Sequence, residues 1–426
     1  MAGVPVGRVP EDLVEAAHRV IDARSLRSIF QPLVHLATDE VVGYEALSRG
    51  PAGSPLEQPL NLLAAAKAAG RLDELDWLCA ASACQAAVGA RLHASMSIFL
   101  NFEPTTLLTT CPQDLLPHVR RALDHLRVVV EMKEDSLLAD PGGTLDALTQ
   151  AREIGWGVAI DDATATPASM ALFPLVHPDV IKLDLRGALD DLDRIAGMGD
   201  AARLYAERTG ATILAQGLEG PDDLLLARTT GATFGQGYYY GRPDELEKGG
   251  RVPRTVFPLL PAPTLEVAAT PFQVIAARCE VAVTETRLLL PLCRHLEEQV
   301  DANGPKGVLL CTFLRGTRFT SRLRTRLAQL MERSAFTVLL GTGLARDDGP
   351  GWRAYDVRHD DPIGDEWSVI VLGPHYAGAL VAREAPLDGS QDQDRLLFAL
   401  THDRDLILEA ARGLLGRVRA RRPTPA

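Results

Sequence analysis

Polar side chains recur at the ends of predicted strands, and they are the residues of this chain that could do chemistry. The first is Glu45, which Arg49 follows four residues later. The later ones are acids, amides and a lysine: Asn101, Glu131, Asp161, Asp162, Lys182, Gln216, Glu219 and Gln236. Hard divalent cations prefer carboxylate and amide oxygens as ligands. The set therefore predicts a polar, metal-capable site for a phosphodiester.

The reaction that such a site supports is hydrolysis of a phosphate ester. It needs a hydroxide nucleophile and neutralised charge on the phosphoryl oxygens, and two Mg²⁺ or Mn²⁺ ions about 3.5–4 Å apart supply both. Any one acid or amide after a strand could instead be the N-cap of the next helix. That alternative explains a single residue well and the whole set poorly.

Alternating strands and helices must position these residues. Apolar strands separated by helices are predicted at 41–47, 96–101, 127–131, 157–161, 180–183, 212–215 and 233–236. A leading strand at 27–36 lies one short turn before 41–47, so we expect these two to pair antiparallel. Apolar strands separated by helices form a parallel sheet covered on both faces. The number of strands favours a closed eight-stranded α/β barrel, whose strand-to-helix loops gather the site residues at one face.

Composition limits the class of protein. With 426 residues the chain is long enough for two or three domains, and 46% hydrophobic and 23% charged residues are typical of a soluble globular protein. No long apolar run or signal-like start is present, so we expect a cytoplasmic protein that does not engage a membrane. The net charge of -12 argues against direct nucleic-acid binding but allows a small anionic ligand. Six cysteines show no zinc-ligand spacing and are expected to be reduced thiols.

Residues 26–245 resemble the EAL family, which binds and hydrolyses the bacterial second messenger cyclic di-GMP. The motifs that carry the resemblance are Phe30-Gln31-Pro32, Tyr44-Glu45-Ala46-Leu47-Ser48-Arg49, Leu75-Asp76, Asn101, 131–134, Asp161-Asp162, Lys182-Leu183-Asp184, and Gly235-Gln236-Gly237 through Pro243. The resemblance implies a modified TIM barrel with an antiparallel first strand. It also implies that cyclic di-GMP is cleaved to the linear dinucleotide pGpG.

The resemblance assigns roles to the motif residues. One Mg²⁺ or Mn²⁺ would be held by Glu45, Asn101, Glu131 and Asp161, and a second by Asp161 and Asp162. Lys182 would orient or polarise the attacking water. Gln31 and Arg49 would contact guanine and phosphate, and Gln236 would complete the site. Leu47, Asp184 and Pro243 belong to the implied ligand-binding set.

Two departures from the family pattern affect the predicted activity. Gln216 stands where the family has a catalytic glutamate, and an amide is neither a base near neutral pH nor a negative charge for a metal. The loop 163–169 lacks the aromatic residue and the glycines of the family. We therefore expect a receptor with weakly bound metal or none. The alternatives are an active phosphodiesterase and an interaction protein that has lost the ligand.

The second half of the chain carries no chemistry that its residues reveal. We predict a barrel domain at 1–250, a proline-rich linker at 251–270 and a second, smaller α/β domain at 271–426. Its strands are predicted at 307–313, 336–341, 367–372, 378–383 and 395–400. The second domain resembles the DICT sensory domain in its layout and in the run 398–405. This resemblance implies a regulatory input or output and allows a signalling-protein partner. We expect a homodimer, formed through the face near the loop after Asp162 and an apolar seam on a helix at 285–300.

Overall fold

The computed structural model describes residues 9–163, 167–249, 252–261, 269–302, 307–315, 320–344, 347–349, 352–386 and 395–418. Contacts divide the chain into two compact units. The first, here called the barrel unit, comprises Met1–Glu134, Ala147–Thr164 and Pro178–Ala262. The second unit comprises Asp135–Asp146, Ala165–His177 and Pro263–Ala426.

Eight strands of the barrel unit close into a barrel in sequence order. They are β1 Arg27–His35, β2 Glu40–Arg49, β3 Ser97–Asn101, β4 Arg127–Lys133, β5 Gly157–Ala163, β6 Val180–Asp184, β7 Thr212–Gln216 and β8 Phe234–Gly235. β1 runs antiparallel to both of its neighbours, β2 and β8. All other neighbouring pairs are parallel. The predicted modified TIM barrel with an antiparallel first strand is confirmed.

The sequence of each strand explains why the polar residues collect at one end. β4 carries three buried valines at 128–130 before Glu131, and β6 begins with buried Val180 and Ile181 before Lys182. Such β-branched residues fit a pleated surface covered on both faces, and the site residues follow them along the strand. The register then sets Asn101 opposite Glu131, and Asp184 opposite Gln216. The carboxyl ends of β2 to β7 therefore present one polar layer.

Helices alternate with these strands along the chain. They are α1 Glu11–Asp22, α2 Pro59–Ala68, α3 Leu72–Gly89, α4 Pro104–Leu107, α5 Leu116–Leu123, α6 Glu134–Ala139, α7 Pro141–Glu153, α8 Pro167–Val176, α9 Leu192–Thr209 and α10 Pro221–Thr229. The short helix α4 was not predicted, because four residues carry no helical periodicity. No helix in the described part of the chain is long and apolar enough to cross a membrane.

The interior below the polar layer is closed by a residue from beyond the last strand. Phe257 is fully buried and packs edge-on to Phe99 and against Phe234, with ring centroids 5.3 and 4.3 Å away. Its carbonyl accepts a hydrogen bond from Arg127 at 2.8 Å. The backbone N–H of Leu260 donates to Asp179 at 2.5 Å. Residues 252–261, which composition assigns to a linker, thus form part of the core of the barrel unit.

The second unit is built on an eight-stranded mixed sheet in the order β12-β13-β11-β10-β14-β15-β16-β9. Its strands are β9 Ala282–Glu285, β10 Val308–Phe313, β11 Phe336–Gly341, β12 Asp347–Gly349, β13 Trp352–Asp356, β14 Glu366–Leu372, β15 Ala377–Glu384 and β16 Arg395–Thr401. Its remaining helices are α11 Pro271–Ala276, α12 Thr286–Ala302, α13 Ser321–Arg333 and α14 Arg404–Leu415. The predicted smaller α/β domain is confirmed. β9, β12 and β13 were not predicted.

Candidate functional site

Lys182 on β6 is the centre of the polar layer. Its side chain is fully buried, and its ammonium nitrogen faces three carboxylates. Nζ lies 3.2 Å from Glu45 Oε2, 2.5 Å from Glu131 Oε1 and 3.1 Å from Asp161 Oδ1. Three different strands carry these acids: β2 carries Glu45, β4 carries Glu131 and β5 carries Asp161. The arrangement compensates a cluster of buried negative charge with one buried positive charge.

Side-chain amides donate to two of the three carboxylates of this cluster, whereas among the described residues Glu131 receives no amide and faces only the Lys182 ammonium. Asn101 donates to Glu45 Oε1 at 3.1 Å, and Gln236 donates to Glu45 Oε2 at 2.6 Å. Gln216 donates to Asp161 Oδ1, the oxygen that also faces Lys182. A side chain at Gly237 would collide with the backbone of Leu218, so only glycine fits after Gln236. The site is therefore a network of donors around carboxylates.

Burial and mutual charge set the protonation of the cluster. Complete burial, reinforced by the charge of Glu45, raises the pKa of Glu131 well above its usual range. Burial alone would lower the pKa of Lys182, but Glu131, Glu45 and Asp161 together raise it well above normal. Burial opposes ionisation of Asp161, yet Lys182 and the Gln216 amide hold the pKa of Asp161 below normal. Lys182 therefore stays charged. Asp161, whose pKa is lowered, ionises more readily than Glu131, whose pKa is raised.

Asp162 and Asp184 lie apart from this network and face Arg186. Asp184 accepts hydrogen bonds from Arg186 at 2.8 and 2.6 Å. Asp162 adopts a left-handed backbone with φ +50°, and its Oδ1 lies 3.7 Å from the same guanidinium. Sequence reasoning missed Arg186. Its position two residues after Asp184 was the available signal, because that spacing lets an arginine reach back to the acid.

The other side chains predicted to contact a ligand differ in their partners and burial. Arg49 donates to its neighbouring carbonyl at Ser48 and forms no ion pair within the described residues. Burial, with the charge of Arg27, lowers the pKa of Arg49. Gln31 accepts from Gln236 at 2.9 Å and donates to the Gly241 carbonyl at 3.2 Å. Leu47 and Pro243 are half-buried and can offer only apolar contact.

Residues 13–243 match the family model described as the EAL domain, which is more than half of the chain. The chain belongs to the EAL family. Residues 272–385 match a second model, DICT, described as a sensory domain in diguanylate cyclases and two-component systems. Both predicted resemblances are confirmed.

Proteins similar to this chain occur in several bacteria. An uncharacterized protein of Azorhizobium caulinodans is 29% identical over 58% of this chain and 35% of its own. Cyclic di-GMP phosphodiesterase NbdA of Pseudomonas aeruginosa is 28% identical over 50% of this chain and 28% of its own. The chain thus spans about a third of the length of these curated relatives. The manganese and cyclic di-GMP complex of Klebsiella pneumoniae BlrP1 is 25% identical with a TM-score of 0.45, covering 51% of this chain and 56% of BlrP1.

The donor set of this EAL domain has the right chemistry for Mg²⁺ or Mn²⁺, but its arrangement does not fit an ion. The Lys182 ammonium takes the point where the carboxylates of Glu45, Glu131 and Asp161 converge. Asp162, the predicted ligand of a second ion, faces Arg186. Within the described ranges, no three His, Cys, Asp or Glu side chains are grouped so as to hold a metal. An ion at that point of convergence would have to displace the Lys182 ammonium.

Asp76 is a buried acid that binds the segment after the site residue Asn101. Its Oδ2 accepts from the Glu103 N–H at 3.1 Å and from the Thr106 hydroxyl at 2.8 Å. Burial raises the pKa of Asp76 to about 7, against the effect of these hydrogen bonds. The contacts fix the segment that follows Asn101. Leu75-Asp76 is one of the motifs that carry the EAL resemblance, but its spacing does not indicate this supporting role.

Two further predictions concern the loop after Asp162. The substituted loop positions Thr164, Ala165 and Thr166 lie outside the described residues. Glu219, which the family resemblance assigns to tethering this loop, has an exposed side chain, and its backbone N–H donates to Asp223 at 2.9 Å. The tethering role of Glu219 stays a prediction.

Proposed function

We propose that this protein is a cyclic di-GMP receptor whose EAL domain hydrolyses the ligand poorly or not at all. The observation that carries the proposal is the hydrogen bond from Gln216 to Asp161. An amide is not a base near neutral pH and brings no negative charge to a cation. Gln216 therefore serves a carboxylate and cannot take a proton from water.

The amide also changes what the site needs in order to be stable. A glutamate at position 216 would set a second carboxylate against Asp161, and two such groups need a cation or a proton between them. Gln216 removes that need because its N–H satisfies Asp161 directly. Lys182 supplies the positive charge at the centre. Both residues support a site that keeps its shape without a divalent ion.

Ligand recognition is assigned to the side chains around this network. Cyclic di-GMP carries two phosphates, and a guanidinium fork binds phosphate oxygens in a bidentate manner. Arg49 is half-buried and has no ion-pair partner in the described part of the chain, so its charge is available to an anion. Gln31 and Gln236 are bonded to each other and are the amides that we assign to the guanine of the ligand and to completing the site.

Coupling between the ligand site and the sensory half is proposed to run through α8. This helix begins five residues after Asp162 and belongs to the second unit. Within that unit, Arg412 of α14 donates to the carbonyls of Pro174 and Leu175 at 2.7 and 2.9 Å. A shift of α14 would therefore be passed along α8 towards the chain that follows Asp162.

We also propose a homodimer. Of the predicted apolar seam on α12, Leu289 and Leu296 are buried in the core of the second unit. Leu288 and Leu292 are 54% and 39% exposed, so a second copy could cover them. Light scattering that gives a monomer of 45.9 kDa at tens of micromolar would contradict this.

Calorimetric titration of the full chain with cyclic di-GMP tests the receptor proposal. We expect a dissociation constant in the micromolar range or tighter, and a loss of about tenfold or more in Arg49→Ala, since one charged hydrogen-bonded contact is removed. Arg121→Ala, an exposed arginine on α5, is the matched control and should bind normally. Absence of binding in the unaltered protein, with and without Mg²⁺, would overturn the proposal. The second candidate function is an active phosphodiesterase that forms pGpG, which the chemistry of the predicted oxygen ligands favours.

A further inference from the structure

The second unit contains an arginine-rich groove between α12 and α13. The groove has a volume of about 710 Å³ and is lined only by described residues. Pockets that hold small organic ligands generally measure about 300–1,000 Å³. The groove is therefore large enough for a ligand about the size of a nucleotide. Its residues lie outside the EAL domain, so they have no role in the site described above.

The groove is positively charged, whereas the whole chain is negatively charged. Four arginines line it: Arg294, Arg322, Arg326 and Arg333. The acids in its lining are Glu297 and Glu298. The formal charge of the lining is therefore +2, from four arginines and two glutamates, whereas the full chain carries -12. A local positive field of this kind attracts a small anion despite the acidic surroundings.

Two of the four guanidinium groups are occupied, and two are not. Arg326 pairs with Glu297, and Arg333 pairs with Asp301 at 2.6 and 2.8 Å. Within the described residues, Arg294 and Arg322 have no ion-pair partner, and each is exposed to the groove. With Glu298 also in the lining, the two guanidinium groups leave a net charge of +1 for a phosphate monoester, which carries about -1.5 to -2 near pH 7.

The ion pair between Arg326 and Glu297 holds one guanidinium group of the groove in place. Glu297 is buried against Cys293 and Cys311, and burial raises the pKa of Glu297 while Arg326 opposes that shift. The ion pair fixes the Arg326 side chain, so less conformational entropy is lost when an anion binds beside it. Leu323 and Leu330 supply apolar surface in the same groove. Charged donors next to apolar surface suit a phosphate group attached to an organic body.

We propose that the groove between α12 and α13 binds a small organic phosphate of nucleotide size, and that this is the ligand class of the DICT half. The site is separate from Arg49 and Lys182, so the proposal does not depend on the proposed function of the EAL domain. A solvated basic face is the alternative explanation of the same arginines.

Calorimetric titration of the full chain with ADP and with pyrophosphate tests the inference. We expect saturable binding of both probes, weakened by at least about tenfold in Arg294→Ala/Arg322→Ala, since each arginine makes a charged contact with phosphate. The matched control is Arg287→Ala/Arg358→Ala, which removes the same charge from two exposed arginines outside the groove.

The affinities of the groove variant and the control variant decide whether the site exists. Binding that weakens in the groove variant and persists in the control supports the site. Equal weakening in both variants, or no binding of either probe at about 5 mM, overturns it. Circular dichroism and the melting temperature of each variant show whether it is folded. Failure of ADP to bind leaves the cyclic di-GMP titration unaffected, so the two proposals fail independently.

Discussion

Gln216 donates its side-chain amide to Asp161 Oδ1, an oxygen that also lies 3.1 Å from the Lys182 ammonium. One carboxylate oxygen thus receives two donors. An ionised glutamate in place of Gln216 could not donate, so the pair that it forms with Asp161 would need a cation or a proton between its carboxyl groups. The stability of this site is therefore carried by the protein's own nitrogen atoms.

Lys182→Met should destabilise the barrel strongly. The substitution keeps the length of the side chain but leaves the carboxylates around it without their buried cation, which typically costs about 3–5 kcal/mol. Urea unfolding at pH 7 measures the change. Lys133→Met, which removes an exposed lysine from the end of β4, should cost less than about 0.5 kcal/mol. Equal losses in the two variants would show that Lys182 does not compensate the cluster.

Asp76 should make stability depend on pH. Its folded pKa of about 7 lies above the value of about 4 for an unfolded chain, so the folded state keeps a proton that the unfolded state has released. This contribution is fully present below about pH 4 and is lost as the pH rises through about 7. Relative to Asp76→Asn, the unaltered protein should lose about 2–3 kcal/mol of unfolding free energy between pH 5 and pH 8. A difference between the two proteins that stays constant over this range would contradict the assignment.

The strand order and the face of the site were predictable because the barrel strands are apolar runs with polar ends. β9 was missed because it is an exposed edge strand without apolar alternation, and β12 because its residues, Asp-Asp-Gly, include no apolar side chain. β13 was missed because Arg353 and Asp356 interrupt its apolar residues. The role of Phe257 could not be predicted, since a proline-rich stretch has no periodicity to mark a core residue.

The barrel fold predicted that the site residues converge at one face. It did not predict which side chain each of them would contact. The backbone of Asp162 is left-handed, which turns its side chain towards Arg186, and no sequence pattern fixes such an angle. That Lys182 occupies the point of convergence likewise depends on side-chain geometry. Sequence type alone indicated only that Lys182 and the acids would be neighbours.

Arg412→Ala should change the affinity for cyclic di-GMP without any contact to the ligand. The variant loses both hydrogen bonds to α8, and positions along a coupling element typically alter affinity by about two- to thirtyfold. Arg278→Ala is the matched control, because Arg278 pairs with Glu409 of α14 and, among the described residues, makes no hydrogen bond to α8. Calorimetric titration compares the three proteins. An affinity unchanged in Arg412→Ala would remove α8 as the route of coupling.

Turnover of labelled cyclic di-GMP, with products separated by chromatography, tests the central claim most directly. With Mn²⁺ present, the unaltered protein should bind the ligand and form pGpG far more slowly than about one per second. Gln216→Glu restores a base and a negative charge, so pGpG formation should rise by at least about tenfold. A smaller gain should increase when Thr164→Gly and Thr166→Gly are added. Ordinary enzymatic turnover by the unaltered protein, or no hydrolysis by the combined variant while binding stays intact, would contradict the claim.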